Sequence, residues 1–436
     1  MSESQDMLAP SVGAPMERVD GPLKVRGAAT YASEMPVRNA VHAVMITSTI
    51  AAGRITRMDT TAALRAPGVI AVITPENAMR LPGAQKPTGA AAEHSGGSSS
   101  QQTSQTSQTG QNDGGQSGSG GQAGASRQPP QRIPTLLQDD RVFYNGQPIG
   151  IVVADTLEHA RAAVPLVRTS YATTHAELDM ATGPKAPPEN VHPTGDEPRA
   201  TTRGDIDAGL RDAAVRVDHT YTTPFETHNP MEPHNTVAVW EGSKLTLYDS
   251  TQGVFGVRST VARTFSMQPE DVRVLSPFTG GGFGSKGGAW SHVMLAAMAA
   301  RQTGRPVKLV LTRRQMFGPV GGRPRTVQHV TLGATSDGQL TAIRHTSTSN
   351  SSMLEDWLEP SALQTRMLYT SPNAVTDHAI VRLNVGSPTF MRAPGESTGT
   401  YALESAMDEL AVALDMDPVA LRLRNYAEHD PQSGKP

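Results

Sequence analysis

Clusters of apolar residues mark a series of short elements along the chain. Residues 41–49 are rich in Val, Met, Ile and Thr and predict a strand, and 69–74 predict a second after the Pro67-Gly68 turn. Strands are expected at 141–144 and 149–154, on either side of Asn145-Gly146-Gln147-Pro148. Asp155 is then expected to cap a helix, with Glu158 as its capping-box partner, and Pro165 to end or kink it. Farther along, 236–240 and 245–249 pattern as a hairpin across Glu241-Gly242-Ser243-Lys244, and Val254, Val257, Val261 and Phe265 recur at helical spacing. A short strand at 271–275, a glycine-rich loop, a helix from about 291 to 302 and a strand at 307–311 follow. A second hairpin, 327–334 with 340–349, turns at Asp337-Gly338, and 401–414 reads as an amphipathic helix. Hairpins mixed with strand–helix units predict an α+β fold rather than a doubly wound sheet.

Polar stretches divide this series. Residues 95–128 are almost entirely Ser, Gly, Gln and Thr, too poor in apolar side chains to repay ordering, and are expected to be a disordered insertion inside a first domain, 18–183. A disordered N-terminus, 1–17, precedes it. A Pro-rich linker is expected at 184–203, and a second domain at 204–436. Much of the low hydrophobic content, 37% over 436 residues, lies in the polar tract. A net charge of -3 with scattered basic residues gives no reason to expect nucleic acid or a membrane as partner. The absence of cysteine excludes a disulfide, a zinc–thiolate site, a cysteine nucleophile and a cysteine-ligated iron–sulfur cluster in this sequence. The N-terminal residues carry no apolar core of signal-peptide length, and no run approaches a membrane span. The expectation is a cytoplasmic chain, or a periplasmic one if a signal-bearing partner carries it out.

Four segments carry candidate chemistry. Residues 279–288, TGGGFGSKGG, lie between a strand and a helix, where bare backbone amides approach an anionic ligand, aided by the helix N-terminus. The other reading is a flexible turn. Gly282, Gly284 and Gly287 satisfy G-x-G-x-x-G, but the next strand ends in Thr312-Arg313-Arg314 without the acid a dinucleotide site wants, although arginine suits a phosphorylated ribose. The P-loop pattern fails, because Gly284-Ser285-Lys286 reverses the required order. His228-Asn229-Pro230-Met231-Glu232-Pro233-His234 invites a metal reading, yet its prolines forbid the helical zinc motifs, and a rigid loop with hydrogen-bonded histidines is favoured. Gln252 follows a strand as an ordinary turn residue would, and Arg392, in 391–396 (MRAPGE), reads alone as a surface arginine.

Taken in order, these segments resemble the molybdenum-binding large subunits of the xanthine dehydrogenase/aldehyde oxidase family. The resemblance begins with Arg18-Val19-Asp20-Gly21 and Lys24-Val25-Arg26-Gly27. It continues through Ile50-Ala51-Ala52-Gly53-Arg54-Ile55, Ala66-Pro67-Gly68-Val69, Leu137-Gln138-Asp139-Asp140 and Tyr144-Asn145-Gly146-Gln147-Pro148. These resemble the family's α/β hammerhead domain. Residues 224–234, Thr251-Gln252, 280–286 and 391–396 resemble its first molybdopterin-binding domain, and 391–425 is most similar to bacterial aldehyde oxidoreductases of the periplasmic type.

The resemblance implies a bound molybdopterin cytosine dinucleotide with molybdenum, contacted by Gln252, Gly281, Gly282, Phe283, Gly284 and Arg392, with no direct metal ligand from the chain. It implies hydroxylation of an aldehyde, or of a related carbonyl or heterocyclic substrate, by water, with electrons passing to 2Fe–2S clusters on a small subunit and FAD on a medium subunit. In purine-hydroxylating members a glutamate follows the loop lysine; Gly287 stands there in this chain. The family's base glutamate lies in a second molybdopterin domain, which the resemblance puts beyond Pro436. On that expectation this chain holds no catalytic residue and is inactive alone, and the C-terminal domain is a further partner. The alternatives are an NADP-dependent dehydrogenase using Gly282, Gly284 and Gly287, and a non-catalytic remnant that binds partner subunits.

Overall fold

A computed structural model describes residues 13–84, 133–187, 198–431 and 434. The expected insertion at 95–128, most of the expected N-terminal tail and the middle of the expected linker lie outside the described residues. Among the described residues the chain forms three sheets, of seven, six and three strands, with helices packed against them. That is the mixture of hairpins and strand–helix units expected of an α+β fold.

The seven-stranded sheet draws on both ends of the sequence. Val41–Thr47 pairs with Pro148–Ala154, which pairs with Val69–Ile73; on its other side Val41–Thr47 runs parallel to Val307–Val310. Hydrogen bonding therefore crosses the division expected at 184–203, and one hydrophobic core joins Val41, Met45 and Ile151 to Leu247, Leu295 and Leu309. The two ends of the expected linker are themselves strand residues: Lys185–Ala186 and Thr201–Arg203 both pair with Asn373–Leu383. Arg141–Val142 and Pro148–Ala154 go to different sheets, because Arg141–Val142 joins Gly53–Asp59 in the three-stranded sheet.

Ser291–Thr303 lies at the centre of this core. Ten consecutive residues from Ser291 to Ala300 are buried, so the helix is covered all round rather than amphipathic. Its alanines let the sheet come close: Trp240 in Asn235–Glu241 donates its indole N–H to the carbonyl of Ala297 at 2.9 Å. Gly304, with φ 65°, ends the helix in the left-handed conformation that glycine adopts without a Cβ clash. The helix Leu157–Ala163 is capped by Thr156, whose hydroxyl accepts from the His159 amide, and not by Asp155 as expected. Asp155 instead meets the His159 ring at 2.7 Å. Val164–Leu166, with Pro165 inside it, tightens to a 3-10 turn and ends the element.

Strand direction gathers four loops at one edge of this sheet. Asn235–Glu241 is antiparallel to Lys244–Asp249, with Thr236 opposite Asp249, and Lys244–Asp249 is parallel to Val272–Leu275. Val307–Val310 is antiparallel to Asn235–Glu241, with Val310 opposite Asn235. The segments before 235, after 249, after 275 and after 310 all leave from the same edge. The second sheet, with Val215–Thr223, Thr326–Ala334, Leu340–Ser352 and Asn373–Leu383, carries the long helix Glu396–Ala413 on its apolar face. That helix starts five residues before the expected 401.

Candidate functional site

The glycine loop is built around a buried ion pair. The Lys286 side chain is wholly buried, and its Nζ lies 3.0 Å from Glu232 Oε2 and 2.9 Å from the Glu232 carbonyl. Glu232 Oε2 also accepts from the Ser250 hydroxyl at 2.6 Å and the Gly280 amide at 2.7 Å, while Oε1 accepts from Asn235 at 3.0 Å. Burial alone would raise this carboxyl; the hydrogen bonds and the Lys286 charge outweigh it and leave the pKa lowered. The lysine pKa is lowered by burial, with Glu232 opposing the shift. One carboxylate thus ties three of the edge loops together.

The loop histidines are hydrogen-bonded. His228 donates its Nε2–H to the carbonyl of Phe390 at 2.5 Å, and His234 donates to that of Ser285 at 3.3 Å. Burial holds the His234 imidazole well below its usual pKa and pushes that of His292, edge-on to it at 5.5 Å, down to about 3. Both are neutral near pH 7.

Gln252 reaches this loop across a short turn. Its backbone amide donates to the Lys286 carbonyl at 2.8 Å, and its side-chain Oε1 accepts from the Gly284 amide at 3.0 Å. Gly282 lies under that side chain: a Cβ there would stand 2.6 Å from Gln252 Cδ and closer still to Oε1. Phe283, half-exposed with φ 53°, accepts from the Arg392 amide at 2.9 Å through its carbonyl. Gly284, with φ 107°, presses on the Phe390 backbone, and a Cβ would lie 2.8 Å from the Phe390 carbonyl carbon. Gln252, Gly281 to Gly284 and Arg392 therefore form one contiguous cluster.

What the cluster offers a ligand is specific. The Gly280 and Gly284 amides are used internally, whereas those of Gly281, Gly282 and Phe283 meet no partner among the described residues. The Gln252 side-chain NH₂ and the exposed Arg392 guanidinium have none either. Three backbone N–H groups, one amide NH₂ and one guanidinium suit an acceptor-rich anionic group. Close approach requires glycine here, because a side chain at 282 would fill the place Gln252 occupies. The helix N-terminus expected to assist lies at Ser291, past Lys286, and is separated from the free amides.

A dinucleotide site has a different context. There the glycine loop opens directly into a helix between neighbouring parallel strands. In this chain the strands flanking the loop and helix, Val272–Leu275 and Val307–Val310, are separated by two others in the sheet. The Gly287 amide is taken up by the Gly284 carbonyl. The geometry therefore argues against the NADP alternative.

Three residues of this region escaped the sequence reading. Arg323 and Glu359 are buried beneath the 391–395 turn, and Asp249 is buried where its strand gives way to the Gln252 turn. Glu359 follows Trp357-Leu358 and precedes Pro360, a setting that could have marked a buried acid. Asp249 accepts a short hydrogen bond from the Thr236 hydroxyl, and burial pushes its pKa up to about 7, against the Lys286 charge and with that of Glu232. The native state then keeps a proton that the unfolded chain loses above about pH 4. Its contribution is present at low pH and lost as pH rises through 7. Asp249→Asn is expected to flatten that loss, so that the melting temperature of the variant gains on the wild type between pH 5 and 8. Parallel melting profiles would show that Asp249 is already ionised in the fold.

Comparison with known proteins identifies the domains. Residues 184–426 match the molybdopterin cofactor-binding domain, and residues 26–100 match the aldehyde oxidase and xanthine dehydrogenase a/b hammerhead domain. The chain is 38% identical over 422 residues to the aldehyde oxidoreductase molybdenum-binding subunit PaoC of Escherichia coli K12, covering 96% of this chain and 51% of that protein. It is 31% identical over 311 residues to the abscisic-aldehyde oxidase of Arabidopsis thaliana, covering 68% of this chain and 23% of that one. The chain thus spans about half the length of the first of these relatives, and less of the second. Among solved structures, quinoline 2-oxidoreductase from Pseudomonas putida 86 superposes with a TM-score of 0.77 at 20% identity, over 95% of this chain and 50% of that one. The aldehyde oxidoreductase of Desulfovibrio gigas superposes with a TM-score of 0.75 at 22% identity, over 97% and 44%. At those identities the likeness is one of fold.

Proposed function

The chain belongs to the aldehyde oxidase and xanthine dehydrogenase family of molybdopterin-binding proteins, and from that premise we propose that it forms the Gln252-bearing face of a molybdenum site that hydroxylates aldehydes with water. The observation that carries this reading is the cluster of donors without a partner among the described residues: the amides of Gly281, Gly282 and Phe283, the Gln252 NH₂ and the Arg392 guanidinium. We assign these residues to a molybdopterin, in its cytosine dinucleotide form. When bound, that group supplies two-electron oxidation of an electrophilic carbon, with the oxygen drawn from water.

This chain's residues position and stabilise. Gln252 is held by Gly284 through Oε1, so its NH₂ is the group left that would donate to an acceptor of the bound cofactor. The free amides of the loop donate to acceptors of the cofactor, and Arg392 places positive charge alongside. No residue of the cluster serves as base: Glu232 is committed to Lys286, and Glu359 is buried behind the 391–395 turn. The family resemblance assigns the proton acceptor to a glutamate outside the cluster.

The substrate is proposed to be a small aldehyde rather than a purine. Gly287 stands where purine-hydroxylating relatives are expected to carry a glutamate, and the first-named relative is an aldehyde oxidoreductase. Because this sequence has no cysteine, cysteine-ligated 2Fe–2S clusters are assigned to a partner subunit and FAD to another. No helix among the described residues is long and apolar enough to cross a membrane. The test is dye reduction by the natural full-length protein, co-expressed with its partners, using aldehydes and purines in parallel. Turnover of aldehydes at least roughly a hundredfold above that of hypoxanthine, about 3 kcal/mol of discrimination, is the expected result. Preferred purine turnover would overturn the substrate assignment, and tight NADP binding without molybdenum would overturn the whole reading.

A further inference from the structure

Arg392 is exposed and reaches no other side chain among the described residues, yet the backbone that presents it is held firmly from below. Met391, Arg392 and Ala393 turn their carbonyls toward one buried guanidinium. Arg323 Nη2 donates to the Met391 carbonyl at 3.1 Å and to that of Arg392 at shorter range, with the Ala393 carbonyl at 3.5 Å. Its Nη1 donates to the Ser397 hydroxyl at 2.9 Å and to Glu226 at 3.2 Å. The backbones of Arg323 and Glu226 bond reciprocally at 2.9 and 3.1 Å, so the guanidinium is itself fixed to the chain leading into the His228 loop.

Glu359 holds the other end of the same turn. It is completely buried, and its Oε1 accepts from the Gly395 amide at 2.8 Å, at the start of Glu396–Ala413. The same oxygen is 3.6 Å from Arg323 Nε. The turn between these anchors is one a free chain would avoid. Ala393 has φ 60° and Gly395 φ 82°, and a Cβ on Gly395 would stand 2.7 Å from the Pro360 carbonyl. A backbone held in left-handed conformations persists only where its surroundings over-determine it, and here a buried acid and a buried arginine do so.

We propose that Arg323 and Glu359 are positioning residues that latch the 391–395 turn, and so set the place of Arg392 and of the Phe283 carbonyl bonded to its amide. Neither acts on a ligand directly. The role rests on the reading of the Gln252–Arg392 cluster as a molybdopterin site, and its test separates the two. The removal of Arg323 takes the guanidinium donor from the Met391 and Arg392 carbonyls, while that of Ala393 keeps the Ser397 amide at 3.1 Å, and it leaves Glu359 without its counter-charge; the removal of Glu359 frees the Gly395 amide. Glutamine at 359 keeps an acceptor for that amide and loses only the charge.

The experiment compares Arg323→Lys, Glu359→Ala and Glu359→Gln in the natural full-length protein, by hydrogen exchange and by molybdenum analysis. Lysine cannot span three carbonyls as the planar guanidinium does. Exchange over 390–396 is expected to rise at least about tenfold in Arg323→Lys and Glu359→Ala, with the amides of Thr326–Ala334 unchanged and molybdenum occupancy reduced several-fold. Glu359→Gln should restore both protection and occupancy toward wild type. Unchanged exchange at 390–396 in the lysine and alanine variants would overturn the latch. So would full molybdenum occupancy in variants whose turn has loosened, or an Ala variant no different from the Gln variant. A wild-type protein without molybdenum would instead remove the cofactor reading, while the exchange data would still decide whether the turn is latched.

Discussion

Replacing Lys286 with methionine is expected to destabilise the protein by roughly 3–5 kcal/mol, the usual cost of removing one member of a buried ion pair. The Lys286 side chain has no exposed surface and Glu232 is about nine-tenths buried, so solvent cannot take over the lost charge. Glu232 would keep its bonds from Ser250, Gly280 and Asn235 but retain an uncompensated negative charge in the interior. The damage should spread to the ligand-facing cluster, because the Lys286 carbonyl receives the Gln252 amide and the Thr251 hydroxyl. Adding Glu232→Gln should recover part of the loss, and a double-mutant cycle in denaturant should report a coupling above about 1 kcal/mol. A single methionine variant within about 1 kcal/mol of wild type would mean that the pair carries little of the loop's stability.

Gly282→Ala is expected to abolish molybdenum retention while the fold survives. The added Cβ would meet the carboxamide of Gln252, the movable end of a side chain that is itself exposed. Gln252 can swing away at little cost in stability, and in doing so it leaves Gly284 and the free amides. Gly284→Ala should behave in the opposite sense. With φ 107° and the Phe390 backbone in the way, the loop must move as a whole, and thermal stability should fall. Molybdenum analysis and thermal melting, run together on both variants, read the contrast. Full metal content in Gly282→Ala, with a normal melting temperature, would mean that the position of Gln252 does not matter to the ligand.

These two variants also mark how far the sequence could be read. The hairpin Asn235–Glu241 with Lys244–Asp249 was legible by simple alternation, whereas Gln252 and Arg392 read alone as a turn residue and a surface arginine, and only the resemblance joined them to the glycine loop. The supports beneath them were not legible. Lys286 and Glu232 are 54 residues apart, and nothing near either announces the other. Arg323 stands in a glycine- and proline-rich stretch that reads as loop.

Two long strands were obscured for a related reason. Asn373–Leu383 buries Thr376 and His378 among its inward residues, so its buried face is not an apolar one. Leu340–Ser352 runs three residues past its expected end at 349, because buried serines replace apolar side chains there. Ser351 and Ser352 accept from the amides of Trp357 and Leu354 at 2.7 and 2.9 Å, which folds the following loop back on the strand. The continuity of the seven-stranded sheet across 184–203 was hidden for another reason, since parallel pairing between Val41–Thr47 and Val307–Val310 leaves no local trace in either strand.

On the proposed reading, Gln252, the glycine loop and Arg392 together hold a molybdopterin. That reading is tested most directly by the metal and pterin content of the natural full-length protein, purified with its partners from a host that makes the cytosine dinucleotide cofactor. About one molybdenum and one pterin dinucleotide per chain are expected, with both lost together in Gly282→Ala. A wild-type protein that carries neither, although folded and supplied with the cofactor, would contradict the reading.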